Sequence, residues 1–283
     1  MPTRQNHRTL LLAGAICVTT FALAAGPSSA TTARVTAASS EAAGSSVDRV
    51  LKDDRIVESS GLANSTYDRR VIFTHNDSGD TPRFYAVGAS GNTRGTFTLR
   101  GASALDWEDM SPGPNHHLWL GDIGDNGSAR NHITLYRVRE PRDLSSRKIG
   151  YTRFHFVYPD GAHDAESLMV RPTNGRVFIV TKSSSGHVYR APRTLSSSSV
   201  NKLRRVGPAP DVATGSSWFP GRSRYVVRTY TSAYIYSSFD GTPRKVTLPS
   251  QRQGESIDAP NRTTLLAGTE GPNSPVHRVT LGD

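Results

Sequence analysis

The 283-residue chain carries 34 Lys and Arg against 24 Asp and Glu, a formal net charge of +10, and its mean hydropathy is −0.46. Its one cysteine, Cys17, lies near the start, so disulfide scaffolds, thiolate catalysis and cysteine-ligated zinc are excluded for the remainder. Only five of the basic residues are lysine, and the arginines are spread along the sequence, a pattern that predicts no nucleic-acid binding.

Residues 1–30 read as an export signal. Arg4 and Arg8 precede the apolar run "LLLAGAICVTTFALAA", and "GPSSA" sets Ser28 and Ala30 at the small positions of a signal-peptidase site. The run is short for a bilayer and lacks a stop-transfer charge. Cleavage near Ala30 removes two positive charges and no acid, leaving +8 on a secreted, extracellular protein with no membrane segment. Residues 31–47, "TTARVTAASSEAAGSSV", are small and polar and predict a disordered lead-in. Residues 48–283 are then long enough for one domain with a substantial core.

Helical periodicity is nearly absent after position 50. Short β-branched or alternating runs are separated by Gly, Pro, Asn, Asp and Ser clusters, which predicts an all-β fold. A larger unit recurs, opening in turn on "SSGLAN", "DWEDM", "DAESL", "TGSSWF" and "GESID", each followed by two further strand-like runs. Candidate fourth strands lie between the units: "TRGTFTLRG", "YTRFHFVYP", "KLRRVGP" and "RKVTLPS". Taking Ser60, Glu108, Glu166, Ser216 and Glu255 as equivalent gives spacings of 48, 58, 50 and 39. Four-stranded modules at this interval predict a β-propeller of five blades, with six as the alternative. The last unit stops after three strands, and "SVDRVLKDDRIVE" near the N-terminus is placed to supply its fourth and close the ring.

The first strand of each blade lines the central channel, so the five equivalent residues converge there. Three carboxylates held together repel one another, and water, arginine, protonation of one acid or a hard cation would each relieve this. Calcium takes six to eight oxygen ligands, which suits Glu108, Glu166 and Glu255 with the Ser60 and Ser216 hydroxyls. The absence of His and Cys at these positions argues against zinc.

The order Ser, Glu, Glu, Ser, Glu, one per blade, resembles the soluble calcium-dependent apyrases, five-bladed propellers with one axial calcium ion. The likeness runs from about 55 to 283 and rests on "SGL", "WEDM", "ESLM", "SSWF" and "ESID". In the wording of "DWEDM...LWLGDIGDN" and "DAESL...VFIVTK" the chain is similar to secreted propeller proteins of high-GC bacteria. The apyrase likeness implies a Ca2+ ring and nucleotidase activity.

Loops between second and third strands open on the same face as the ring. They bring His75, Asp77, Asp122, Asp125, Asn126, Lys182, Arg228, Tyr230 and Glu270 to the channel mouth. In a phosphoryl hydrolase Lys182 and Arg228 would hold phosphoryl oxygens, and Asp77, Asp122 or Asp125 would orient water. His75, Asn126, Tyr230 and Glu270 would contact the ligand. The Asp, Asn and Gly residues of "NDSGD" and "GDIGDN" equally fit tight turns that cap their own backbone. No Gly-x-Ser-x-Gly elbow or phosphate-cradling glycine loop is present. Two functions remain open on this footing. One is a Ca2+-dependent hydrolase of phosphorylated or nucleotide-like substrates. The other is a non-catalytic propeller holding a small molecule, an extracellular polymer or a protein at its mouth.

Overall fold

Alternation of apolar and small polar residues in the five repeated units produces strands that are buried on both faces, as the inner strand of a propeller blade must be. The computed structural model describes residues 44–282 and the backbone of Ser39–Ser40. The export signal and most of the lead-in lie outside the described residues, within which no helix is long and apolar enough to cross a membrane. Five sheets form five blades, which removes the six-blade alternative. Their inner strands are Ser59–Asn64, Trp107–Gly113, Ala165–Val170, Gly215–Trp218 and Gly254–Asp258. Each inner strand packs against the next around the ring, and the fifth returns to the first.

Within each blade, successive strands pair antiparallel. The anticipated fourth strands form at Thr93–Leu99, Thr152–Val157, Arg204–Pro208 and Arg244–Thr247. The last blade is completed by Gly44–Val50, which pairs with Pro275–Thr280. That strand starts within the span assigned to the lead-in, because the backbone of Gly44, Ser45 and Ser46 completes the ladder with Thr280, Val279 and Arg278.

Five apolar clusters fill the spaces between neighbouring blades. Period-two alternation divides each sheet between two of them. Val226 and Ile235 face blade five beside Leu265 and Ala267, while Tyr225 and Val227 face blade three beside Phe178 and Val180. Each blade is thus one half of two cores, and no sheet is stable alone.

The outer edges are stitched in a way the sequence does not announce. Short segments ahead of a blade's fourth strand reach back to the preceding blade and pair parallel with its outermost strand. Arg147–Ile149 pairs with Phe97, Thr98 and Leu99, Asn201–Lys202 with Phe156 and Val157, and Ser39–Ser40 with Lys245 and Val246. This covers edge strands that would otherwise template aggregation. The stitch requires close backbone approach, and Gly95 provides it: a Cβ there would overlap the Leu144 carbonyl oxygen. Gly95→Ala should therefore cost about 1–3 kcal/mol in urea denaturation. Gly44→Ala, with nothing near its Cβ, should stay within about 0.5 kcal/mol.

Candidate metal centre at the channel mouth

Strand pairing sets the mouth. Ser59 lies opposite Asn76, Trp107 opposite Asp122, Ala165 opposite Thr181, Gly215 opposite Arg228 and Gly254 opposite Thr269. The starts of inner strands and the ends of second strands therefore share one face. In four blades the ladder slips by one residue at this level, between Ser59 and Gly61, Trp107 and Asp109, Ala165 and Ser167, and Gly254 and Ile257. Ser60, Glu108 and Glu166 are each the extra residue of a β-bulge, and Glu255 and Ser256 share one. A bulge re-aims a side chain and ends regular pairing. Blade four alone keeps an unbroken register, with Ser216 opposite Val227.

The tightest group of oxygens lies on the side of blades one and two. One carboxylate oxygen from each of Asp77, Asp106 and Glu108 falls within 4.8 Å of the other two, a set that could hold a metal ion. Glu108 is buried, and Asp77 and Asp106 are partly so. Burial, then the charges of Asp77, Glu166, Asp106 and Asp164, push the Glu108 carboxyl up to about 11. Burial and the charges of Asp106 and Glu58 push Asp77 up to about 6, and Asp106 is raised by burial and by Asp164. Gly124, in the "GDIGDN" turn, makes room for this crowding, since a Cβ there would overlap Glu108 Oε1 and Asp106 Oδ2. Such a set of hard oxygen donors without imidazole or thiolate fits calcium or magnesium chemistry.

The other ring residues sit around this group in different circumstances. Glu166 is raised to about 8 by burial and by Glu255, against the opposing pull of Lys182, whose ammonium touches it and pairs with it once it ionises. Glu255, raised by burial, accepts a hydrogen bond from Gln253 Nε2 at 3.1 Å, and its Oε2 is buried without a partner. The Ser60 hydroxyl donates to the Glu108 carbonyl oxygen at 2.5 Å, and the Ser216 hydroxyl is buried and unpartnered. Glu270 is half-buried and raised to about 7 by burial and by Glu255 and Asp77. Lys182 lies 5.5 Å from the centre of the Tyr230 ring, which is 37% exposed.

Several residues expected at the mouth are occupied by structural work. Arg228 is fully buried, and all five of its N–H groups are used. They donate to the carbonyls of Thr229, Ser256, Gly268 and Tyr230 and to Gln251 Oε1, at 2.8–3.2 Å. No donor remains for a phosphoryl oxygen, so Arg228 clamps blade four to blade five. Asp122 accepts the N–H groups of Leu105 and Asp106 and pairs with Arg130 at 2.8 Å, and Asp125 accepts those of Ala129 and Arg130. Both hold their turns, and Asn126 is exposed beyond. His75 is wholly buried, edge-on to Trp107, with Nδ1 2.8 Å from the Asn76 carbonyl. Burial lowers it to about 4, so it is a neutral core residue rather than a ligand contact.

Two buried acids on the inner strands, Asp109 near the mouth and Asp258 at the opposite end of the channel, carry no role in the sequence reading. Asp109 accepts the N–H groups of Met110 and Leu168 at 2.8 Å and of Ser216 at 3.3 Å, joining blades two, three and four. Asp258 accepts those of Asn64, from backbone and side chain, and the Ser217 hydroxyl at 2.7 Å, joining blades five, one and four. A signal for Asp109 exists. The position after the ring residue reads Gly61, Asp109, Ser167, Ser217 and Ser256, so four small residues leave space for one acid.

No protein-family model matches this chain, and no curated protein matches it. Solved structures share its architecture at low identity. A gluconolactonase from Xanthomonas campestris is 12% identical, covering 78% of this chain and 71% of its own, with a TM-score of 0.48. The PQQ-bound aldose sugar dehydrogenase from Streptomyces coelicolor is 9% identical, covering 85% and 99%, also at 0.48. These likenesses concern the β-propeller fold and carry nothing about chemistry.

The raised carboxyls have a sign that can be measured. Above pH 7 the unfolded chain has ionised its acids and its histidines are largely neutral. The folded protein still holds protons on Glu166 and Glu108, whose values are about 8 and 11. More protons on the folded state means stability falls as pH rises. In chelator, the melting temperature should drop between pH 7 and 9, and Glu108→Gln should flatten that drop.

Proposed function

We propose that this chain is an exported β-propeller that binds Ca2+ at its channel mouth through Asp77, Asp106 and Glu108, and that the bound ion and Lys182 together hold an anionic small molecule. The observation that carries this reading is the convergence of three carboxylate oxygens within 4.8 Å, crowded enough that burial and mutual repulsion drive Glu108 to about 11. A divalent cation removes that repulsion; the charge of Glu166 is felt at Glu108, and Asp77 and Glu255 repel one another. Export rests on the sequence of residues 1–30 alone.

The catalytic form of this reading is hydrolysis of a phosphorylated or nucleotide-like substrate. Calcium would supply Lewis acidity there. Lys182, partly exposed beside Tyr230, is the remaining cation at the mouth able to take a phosphoryl oxygen, because Arg228 has no free donor. Glu270, raised to about 7, has the protonation behaviour of a general base that takes a proton from water near neutral pH. With His75 buried and Asp122 and Asp125 bound into turns, this reading rests on Lys182 and Glu270 beside the metal ligands. A mouth that binds the anion without turnover is the alternative.

Melting with chelator and with calcium tests the metal. At a hundredfold excess over Kd a ligand stabilises by about 2.7 kcal/mol, or roughly 5–10 °C for a domain of this size. Calcium should produce such a shift in the wild type and none in Glu108→Gln, which should itself melt higher than the wild type in chelator at pH 8. Equal melting with and without calcium would overturn the site. With nucleoside di- and triphosphates, calcium-dependent turnover lost in Lys182→Met supports the hydrolase, and binding without turnover supports the alternative.

A further inference from the structure

On the face opposite the acidic mouth, blades three and four enclose an open cleft of about 520 Å³. The pairings Phe178 with Arg190, Arg190 with Arg204 and Trp218 with Tyr225 lie at the strand ends remote from the mouth, and all but Phe178 of these residues line the cleft. Its cationic wall includes Arg171, Arg190 and Arg204, with Arg205 alongside, and its apolar wall is Trp218, Tyr225 and Phe239. Arg171, Arg190 and Arg204 are far apart in sequence and were read as scattered. The fold collects them.

None of the three makes an ion pair among the described residues, and the exposed Asp240 at the rim pairs with none of them. Arg171 sits over Trp218, its guanidinium carbon 4.3 Å from the ring centre. Stacking uses the guanidinium face and leaves its in-plane N–H fork to meet an oxyanion. Two further atoms are left waiting: Arg171 Nε and the Tyr225 hydroxyl are buried without a hydrogen-bond partner, in a Tyr225 only 1% exposed. Burial and the nearby charges of Arg176 and Arg190 lower the Arg171 value, so the cations are crowded without compensation. A buried unpaired donor is destabilising, and like charges at close range add to that. An oxyanion in the cleft would draw on the unpartnered Arg171 Nε and offset the surplus charge.

We propose that this cleft is a second ligand site, which binds a phosphate or sulfate group through Arg171, Arg190, Arg204 and the Tyr225 hydroxyl, with the carrier of that group lying on Trp218 and Phe239. It is independent of the metal centre, and it gives the basic surplus of the chain a location.

Titration of tryptophan fluorescence, with isothermal calorimetry, tests it. The probes are sodium phosphate, sodium sulfate, a soluble poly(glycerol phosphate) and a heparin oligosaccharide, against sodium chloride at matched ionic strength. Phosphate or sulfate should give a saturable change absent with chloride, because the anion draws on the guanidinium stacked over Trp218. Affinity should fall at least tenfold in Arg171→Gln and in Arg190→Gln, with Arg190→Gln keeping the wild-type melting temperature. Tighter binding of the glycerol phosphate polymer than of phosphate assigns a phosphodiester carrier, and tighter binding of heparin a sulfated glycan. A response equal to that of chloride, or one unchanged in both variants, refutes the site.

Discussion

The inner strands of a propeller meet at an axis where none of them can pair with its neighbour as in a sheet. Their inward N–H and C=O groups are buried, and a buried backbone group without a partner costs about 1–3 kcal/mol. Side chains solve this. Ser60 donates to the Glu108 carbonyl, Asp109 accepts from Leu168 and Ser216, Ser111 accepts from Val170, Thr214 donates to Gly254, and Asp258 bonds Ser217 and Asn64. Taken in order these bonds run from blade one to two, two to three and four, four to five, and five back to one. Arg228 adds a second clamp between the last two blades.

At the mouth end the same strands slip register and gather buried acids around the channel. The bulge at Glu108 is what permits consecutive acids in "DWEDM" to have opposite duties. Glu108 joins Asp77 and Asp106 at the mouth, and Asp109 points into the axis and ties three blades. The repulsion that makes Glu108 hard to ionise is thus built on a scaffold that cannot relax without breaking interblade bonds. That rigidity is what a preorganised cation site requires. The two ends of the molecule differ in sign, with carboxylates gathered at one and unpaired arginines at the other.

Much of this is legible in the amino-acid sequence. Echoes of one short acidic motif gave the repeat, and the strand-poor last unit pointed to the N-terminal segment that completes it. Glu108, Glu166 and Glu255 do lie close enough to perturb one another. The misplacements share one cause, which is that sequence position does not report what a side chain touches. Arg228 looks like a free cation until five backbone and amide oxygens are seen around it. His75 and Asp122 read as mouth residues because they end a strand there, yet core packing and a turn absorb them. Bulges leave no trace in a single strand's periodicity, so the pairing of Asp106 with Glu108 across Gly124 was hidden. Arginines dispersed from 171 to 205 cannot reveal that four of them share one cleft.

The central claim, that axial acids hold the blades together, is tested most directly by hydrogen exchange of the Leu168 and Ser216 amides. Both should be among the slowest in the wild type and should accelerate by at least a hundredfold in Asp109→Ala, with Asp109→Asn falling between. Exchange at these two amides that is fast in the wild type, or unaltered when the carboxylate is removed, would contradict the account.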